Sequence, residues 1–431
     1  MQADLSKKDE QFREFSLNGP MWRVVLYVGF PLALYESLNQ LFKILDTMMA
    51  SHIGASAVSA VAYLSQINMM ISAVGTGLAV GASIKVSQAY GAGDFMLVKK
   101  RVSTMFAMCG ALGIAILLVL VPFTPEFLRL MNTPEEFIAD GSTYFRLELF
   151  GMVITFFNNV YIAIERARGN SKRILILNTA VIVVKLGLTA WFVYGLGGGI
   201  NMISCATIIS QSLLLLAACI NMNQKGNAFG FSLRAISIKK EVICPMLTLS
   251  FPVIVERIAF AVGKVIVNSM STVYGSWTVG ALGISNNIGG ITTNPQNGFQ
   301  EGGSSIISQN LGAGRPKRAL LAFRWVLYID MLIGLVIMTA SLLCLNQLAG
   351  LFAGDNAEFA GMIKQIYRFE AVGAIPLGVN AAVMALLYGF GKTRVTLVMN
   401  FCGSFCSACR YFGRCSSSRI SETSAPALSW R

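Results

Sequence analysis

The sequence predicts an all-α polytopic membrane protein of two pseudo-symmetric six-helix lobes, on a twelve-helix plan whose last one or two helices are incomplete. Three observations predict it. The 431 residues are 55% hydrophobic and 13% charged, whereas a soluble protein carries about a quarter charged residues. Apolar runs of about 20 residues recur, long enough to cross a hydrocarbon core as helices. Residues 30–93 also match residues 251–314 at a shift of 221 without a gap, with 16 of 64 pairs identical. The pairs include Pro31/Pro252, Lys43/Lys264, Gly54/Gly275, Gly81/Gly302, Ser87/Ser308 and Gln88/Gln309. Backbone groups inside lipid must bond within their own segment, so these runs are helices and not strands.

A polar tail precedes the first run, and no cleaved signal peptide is expected. Spans then read at 22–48, 57–86, 101–122, 141–165, 173–195 and 199–221 in the first half. The second half gives 242–272, 278–307, 320–348 and 363–389. By the same shift the last two helices belong at about 395–417 and 420–443. The eleventh slot begins well, from Val395 to Asn400, then turns to Cys, Ser, Arg and Gly, and the twelfth is polar. A frame shift or truncation accounts for this change, and a one-base shift of the coding DNA after codon 400 is expected to restore an apolar stretch. Cys402, Cys406, Cys409 and Cys415 form no paired CxxC set and have no His nearby, so no zinc site is expected. The divisions are a tail (1–20), a first lobe (21–222), a basic linker (223–241), a second lobe (242–400) and an atypical C-terminal segment (401–431).

The net charge of +13 does not imply nucleic acid. Basic residues cluster in alternate loops: Lys99, Lys100 and Arg101; Arg166, Arg168, Lys172 and Arg173; Lys225, Arg234, Lys239 and Lys240; Arg315, Lys317 and Arg318; Lys392 and Arg394. The tail adds Lys7, Lys8 and Arg13, while the intervening loops hold chiefly Arg129 and Lys364 beside several acids. This bias places the N-terminus and the basic loops in the cytoplasm, with the chain multi-pass in the plasma membrane. Duplicated halves of a membrane chain imply a pathway between them.

Ionisable residues at membrane depth are rare and usually functional. Asp46 lies in an apolar setting, where a carboxylate can bind a cation or take up a proton; the alternative is a helix cap or a pair with Lys43. Glu36, about three turns earlier, reads equally as a pathway residue or a lipid-boundary residue. In the second half the candidates are Glu256, beside Arg257, and Lys264 and Glu301. Glu301 answers Val80 across the repeat, an asymmetry that points to function. Glu148 and Glu370 correspond and read as structural, near helix starts where the dipole favours them. Gly77 with Gly81, and Gly298 with Gly302, give GxxxG spacings suited to close helix approach between lobes. Tyr388 to Arg394 (YGFGKTR) fails as a P-loop because Leu386 stands where Gly is needed, so no ATP is expected. The only His, His52, is too isolated for a metal centre.

Pro31, Asp46-Thr47 and His52-Ile53-Gly54 resemble the first-helix signature of the multidrug and toxic compound extrusion (MATE) family. SQAYGAGD (87–94) and SQNLGAGRPKRA (308–319) resemble its loops after helices two and eight, and FPVIVERIAFAVGK (251–264) its seventh helix. The resemblance covers about residues 20–400. It implies two lobes across a central cleft, exporting bulky, often cationic compounds against inward Na⁺ or H⁺, with the acid aligned to Asp46 in coupling. The family commonly carries Asn or Asp on the fifth helix; this chain offers Asn178, Lys185 and Thr189. Lys185 is therefore expected to pair with Asp46, since a lone buried charge is costly; snorkelling to an interface is the alternative. The resemblance also implies that the acid of helix seven, Glu256, is a candidate Na⁺ ligand. No cofactor is expected beyond Na⁺ as coupling ion, and the partners expected are small-molecule substrates and the bilayer, not nucleic acid, with the protein a monomer and not an enzyme. Other readings are a lipid-linked oligosaccharide flippase, favoured by a strongly basic cleft, or a non-functional remnant.

Overall fold

Helices follow one another at the spacing the duplication requires. In the computed structural model the described residues are 5–51, 55–130, 135–223, 227–271, 276–353 and 356–403; side chains at 43–44, 46–63, 264–265 and 267–277 are among those outside the description. The first half runs α1 (Lys7–Asn18), α2 (Met21–Ser51), α3 (Ala55–Ala92), α4 (Phe95–Leu120), α5 (Thr124–Leu130), α6 (Glu135–Ala167), α7 (Ser171–Ala190) and α8 (Ile200–Met222). The second runs α9 (Lys240–Ser271), α10 (Ser276–Gly312), α11 (Pro316–Leu343), α12 (Leu345–Ala353), α13 (Ala357–Val372), α14 (Ala374–Gly389) and α15 (Thr393–Phe401). Ala55 and Ser276, Phe95 and Pro316, and Thr124 and Leu345 start equivalent helices 221 positions apart. Left-handed glycines after the helices repeat as well: Gly93 (φ 83°) answers Gly314 (φ 69°), and Gly169 (φ 78°) answers Gly391 (φ 71°).

Among the described residues seven helices are long and apolar enough to cross a membrane, or eight when α13 and α14 count as one span bent by 44°. That pair answers α6, and its break at Gly373 precedes Pro376, whose ring nitrogen cannot donate one turn back. At 31 and 37 residues α2 and α10 are long but less apolar, and they pack on each other. Lipid-length helices instead expose apolar faces, with Ile114 and Leu118 on α4, Ile176 and Val183 on α7, and Leu332 and Val336 on α11.

Within the N-terminal segment 1–20, Lys7–Asn18 form a helix that the sequence reading did not include. Ser6 caps α1, accepting from Asp9 N at 3.2 Å, and Ser-x-x-Asp is itself a helix-start signal. The ninth span ends at Leu343, and α12 follows as a separate helix. Of the eleventh slot, α15 is described to Phe401; the twelfth slot and Cys406, Cys409 and Cys415 lie outside the described residues.

The two halves meet chiefly through α3 against α9 and α2 against α10. Their contacts are reciprocal. A Cβ on Gly77 would lie 2.8 Å from Ile254 Cα, and one on Gly298 2.6 Å from Ala33 Cα. A Cβ on Gly91 would lie 1.9 Å from Gln309 O, and one on Gly312 2.0 Å from Gln88 O. Each contact is the 221-shifted counterpart of its partner, as a pseudo-two-fold axis demands. The GxxxG glycines thus do bring helices of the two lobes together.

Burial divides along this axis. One core joins residues of both halves, including Leu32, Val86, Met246 and Ile306. Two smaller cores stay apart, one around Leu64, Phe145 and Leu149, the other around Ile288, Ile363 and Tyr367. The lobes are therefore fused toward the end that carries α1, Gly91 and Gly312, the basic-loop end, and have separate cores toward the other.

α1 straps the fused end. Arg168 donates to Asp9 Oδ1 and Oδ2 at 2.9 and 2.8 Å and to Glu165 at 3.0 Å. Burial pulls the Arg168 guanidinium down, but the Glu165 and Asp9 carboxylates outweigh it and hold it above its ordinary value. Arg13 donates to Tyr90 O and Gly91 O. On the second half Ser16 donates to Gln309 Oε1 at 2.8 Å, Arg315 to Leu17 O at 2.7 Å and Arg318 to Gly19 O at 2.8 Å. Arg166 and Arg168, counted as loop charges in the sequence, are thus buried and paired. Asp9→Ala is expected to cost the docked α1 about 3 kcal/mol, because it leaves a buried guanidinium short of a partner. Hydrogen exchange over residues 7–18 should speed up; unchanged protection would show that the pair does not hold the helix.

Candidate functional site

Between the lobes, α3, α6, α9, α10 and α14 enclose a narrow polar crevice lined by Ser83, Ser87, Arg166, Arg257, Glu301 and Tyr388 among others. Glu301, on α10, forms an ion pair with Arg166 at the end of α6, so the pair crosses from lobe to lobe. Arg257 Nη2 lies 4.0 Å from the other carboxylate oxygen. Two further bonds lock the same place: Ser305 donates to Arg166 O at 3.1 Å, and Gln309 donates to Ala167 O at 2.7 Å.

Glu36, on α2, is partly buried and lies within the field of Glu301, Arg166 and Arg257. Glu36 and Arg257 are also repeat partners of opposite charge. The crevice lining thus carries two bases, Arg166 and Arg257, and one acid, Glu301.

Glu256 builds a second cluster, between α9, α14 and α15. Tyr388 Oη and Asn400 Nδ2 donate to Oε1 at 2.8 and 2.7 Å, and Thr396 Oγ1 lies 2.7 Å from Oε2. The Thr396 hydroxyl has one proton and a second oxygen in reach, Thr393 O at 2.8 Å. It can donate to only one of the two at a time. Tyr388 also lines the crevice, so it links the two clusters. Arg257 reaches toward the crevice while Glu256 faces α14 and α15, as neighbours along a helix must diverge.

Sequence reasoning missed Tyr388, Thr396, Asn400, Arg166 and Arg257 as site residues. The signal available was weak: Tyr388, Thr396 and Asn400 flank the basic turn Lys392 to Arg394 and the short apolar run that follows it.

In the first lobe, Asn178 is buried and donates to Ile174 O at 2.8 Å, and Lys185 lies two turns further along α7, half-buried. α7 packs along α2, the helix that carries Asp46. The side chains of Asp46, Lys43 and Lys264, and His52 as a whole, lie outside the described residues. The reading of Glu148 and Glu370 as helix-start acids is corrected. Glu148 lies well inside α6 and accepts from Ser204 of α8 at 2.7 Å. Glu370 lies near the end of α13 and accepts from Ser285 of α10. Hydroxyls of neighbouring helices, not the dipole, satisfy both.

Comparison with known proteins is consistent with this duplicated plan. The probable multidrug resistance protein YoeA of Bacillus subtilis is 25% identical over 344 residues, covering 78% of this chain and 74% of that protein. The multidrug export protein MepA of Staphylococcus aureus is 23% identical over 414 residues, covering 91% and 90%. Among solved structures, an outward-facing multidrug resistance MATE family transporter of the MOP superfamily superimposes with a TM-score of 0.85 at 21% identity, covering 92% of this chain and 88% of that one. The MatE family model matches twice, over residues 31–191 and 252–409, once on each half. With one match on each half of a pseudo-two-fold helical scaffold, the chain belongs to the MatE family.

Proposed function

We propose that this protein is a secondary antiporter that exports drugs or other toxic organic compounds, often cationic, in exchange for Na⁺ or H⁺. One observation carries the reading. Duplicated lobes are fused at one end by reciprocal glycine contacts and keep separate cores toward the other, as a carrier with alternating access requires. Family membership and multidrug relatives support it. In this reading the protein is a plasma-membrane monomer, lobes 21–222 and 242–400 are joined by the linker 223–241, and the basic-loop end faces the cytoplasm. Asp46 with Lys185 and Asn178 couples ions in the first lobe, and Glu256 in the second; Lys185 competes with the incoming cation for Asp46. Glu36 and Glu301 border the substrate route. The acid Glu301 in the crevice lining, paired with Arg166, favours this over an oligosaccharide flippase, for which a strongly basic cleft is expected.

The test is ethidium efflux from liposomes containing the purified protein, under an imposed H⁺ or Na⁺ gradient. Uphill efflux with one gradient and not the other identifies the ion; none with either refutes antiport of this substrate class. Asp46→Asn and Glu256→Gln are each expected to lower gradient-driven efflux about tenfold or more. Full efflux in both variants would remove the coupling role from both acids.

A further inference from the structure

We propose that Asp330 is a proton-binding site of the second lobe, and that it exchanges its proton during transport; this rests on the antiport reading above. Asp330 lies midway along α11 with no exposed surface, and neither carboxylate oxygen has a hydrogen-bond partner among the described residues. α11 buries Ala319, Ala322, Val326, Asp330 and Gly334 along one face, against α10 and α14. The carboxyl is thus enclosed by helices and does not face lipid.

Several charged and titratable groups on the surrounding helices are engaged elsewhere. On α10, Glu301 is paired with Arg166. On α14, Tyr388 donates to Glu256. On α13, Tyr367 donates to Ser341, Glu370 accepts from Ser285 and Lys364 donates to Asn346, while Arg368 does not hydrogen-bond to Asp330. On α2, Tyr35 and Glu36 lie in the field of Glu301 and Arg166. Among the described residues no cation pairs with Asp330. A bare charge in such a place is costly, so the carboxyl is neutral, carrying its proton, in this conformation.

The duplication argues that packing alone does not demand this acid. The repeat partners of Asp330 and Gln296 at the 221 shift are Cys109 and Gly75, and that of Gly378 is Phe156 at the shift of 222 that also relates Gly169 to Gly391. In the first lobe the Phe156 ring fills the space over Gly75, where a Cβ would come within 2.2 Å of it. In the second lobe the filler comes from the other helix. The Gln296 amide fills the space over Gly378, where a Cβ would lie 2.7 Å from Nε2. That amide donates to Asp330 O and Ala374 O at 3.0 and 3.1 Å, and its own Oε1 is left unbonded. A scaffold that packs with a thiol and a phenyl ring in one lobe has placed a carboxyl and an amide at the corresponding level of the other. Ala374 and Gly378 follow directly on the 44° break between α13 and α14, so a change in that angle moves the wall that seals Asp330.

Asp330→Asn fixes the neutral form at nearly constant shape. In liposomes it is expected to keep drug-for-drug exchange within about twofold and to lose proton-driven efflux by about tenfold or more. Equal loss of both, or of neither, would overturn the proposal. A second measurement uses the wild-type chain, in case the variant does not fold. A hydrophobic carbodiimide, which reacts with protonated carboxyls, should label Asp330, as mapped by mass spectrometry, and more slowly at high pH. Absence of label, or a rate independent of pH, would also overturn it. Wild-type protein without any proton-driven efflux would refute proton antiport itself, and is read separately from the labelling.

Discussion

Alanine at Gly91 and Gly312 together is expected to hold the basic-loop end of the two lobes apart. Each added Cβ meets a backbone carbonyl, Gln309 O at 1.9 Å and Gln88 O at 2.0 Å, so no side-chain rotation relieves the clash. Ordinary contact needs about 3.5 Å, and α3 and α10 must separate to reach it. Overpacking of this kind costs about 1–3 kcal/mol per site. Each 1.4 kcal/mol is about tenfold in population, so the double variant should deplete the closed form by about a hundredfold. The single variants should each produce about half the effect in free energy, because the two contacts are equivalent under the repeat. Spin labels at the exposed positions Lys100 and Lys317 would read it as a longer distance across the end, with efflux falling in parallel. An unchanged distance would show that these contacts do not set closure.

The same glycines show what the sequence made legible. Identity between the halves at Gly77, Gly81 and Gly91 marked the places where no Cβ fits, and these became the lobe interface. A duplicated scaffold repeats its closest approaches, so self-comparison finds them without any structure. Polar assembly was less legible. Glu256 meets Thr396 and Asn400 across 140 and 144 positions, and no local pattern announces such a meeting. Asp330 passed unremarked because hydropathy along an almost uniformly apolar helix does not distinguish its inner face from its lipid face. Arg166 and Arg168 were counted among loop charges because a charge count carries no information on burial; both prove to be keys that hold the fused end. α1 was legible in its capping signal, but the apolar runs that followed dominated the reading of the tail.

Breaking the pair of Arg166 and Glu301 is expected to have the second large effect, and on conformation more than on folding. The pair joins one lobe to the other and makes no contribution within either, so its loss weakens only the form in which the lobes are fused. Glu301→Gln leaves Arg166, whose side chain is 10% exposed, without its carboxylate. Removing one member of such a pair costs about 3 kcal/mol or more, with Arg257 at 4.0 Å adding a second positive charge no longer opposed. Efflux should fall about tenfold or more, and the Lys100–Lys317 distance should lengthen. The exchanged double variant, Arg166→Glu with Glu301→Arg, restores the attraction in reverse. The backbone bonds from Ser305 and Gln309 to the end of α6 do not depend on either charge and keep the geometry in place. Partial recovery of both closure and efflux in the exchanged variant is the expected result. An exchange no better than the single substitutions would mean that the individual charges act through Glu36 and Arg257 on the substrate route, and not through their attraction across the lobes.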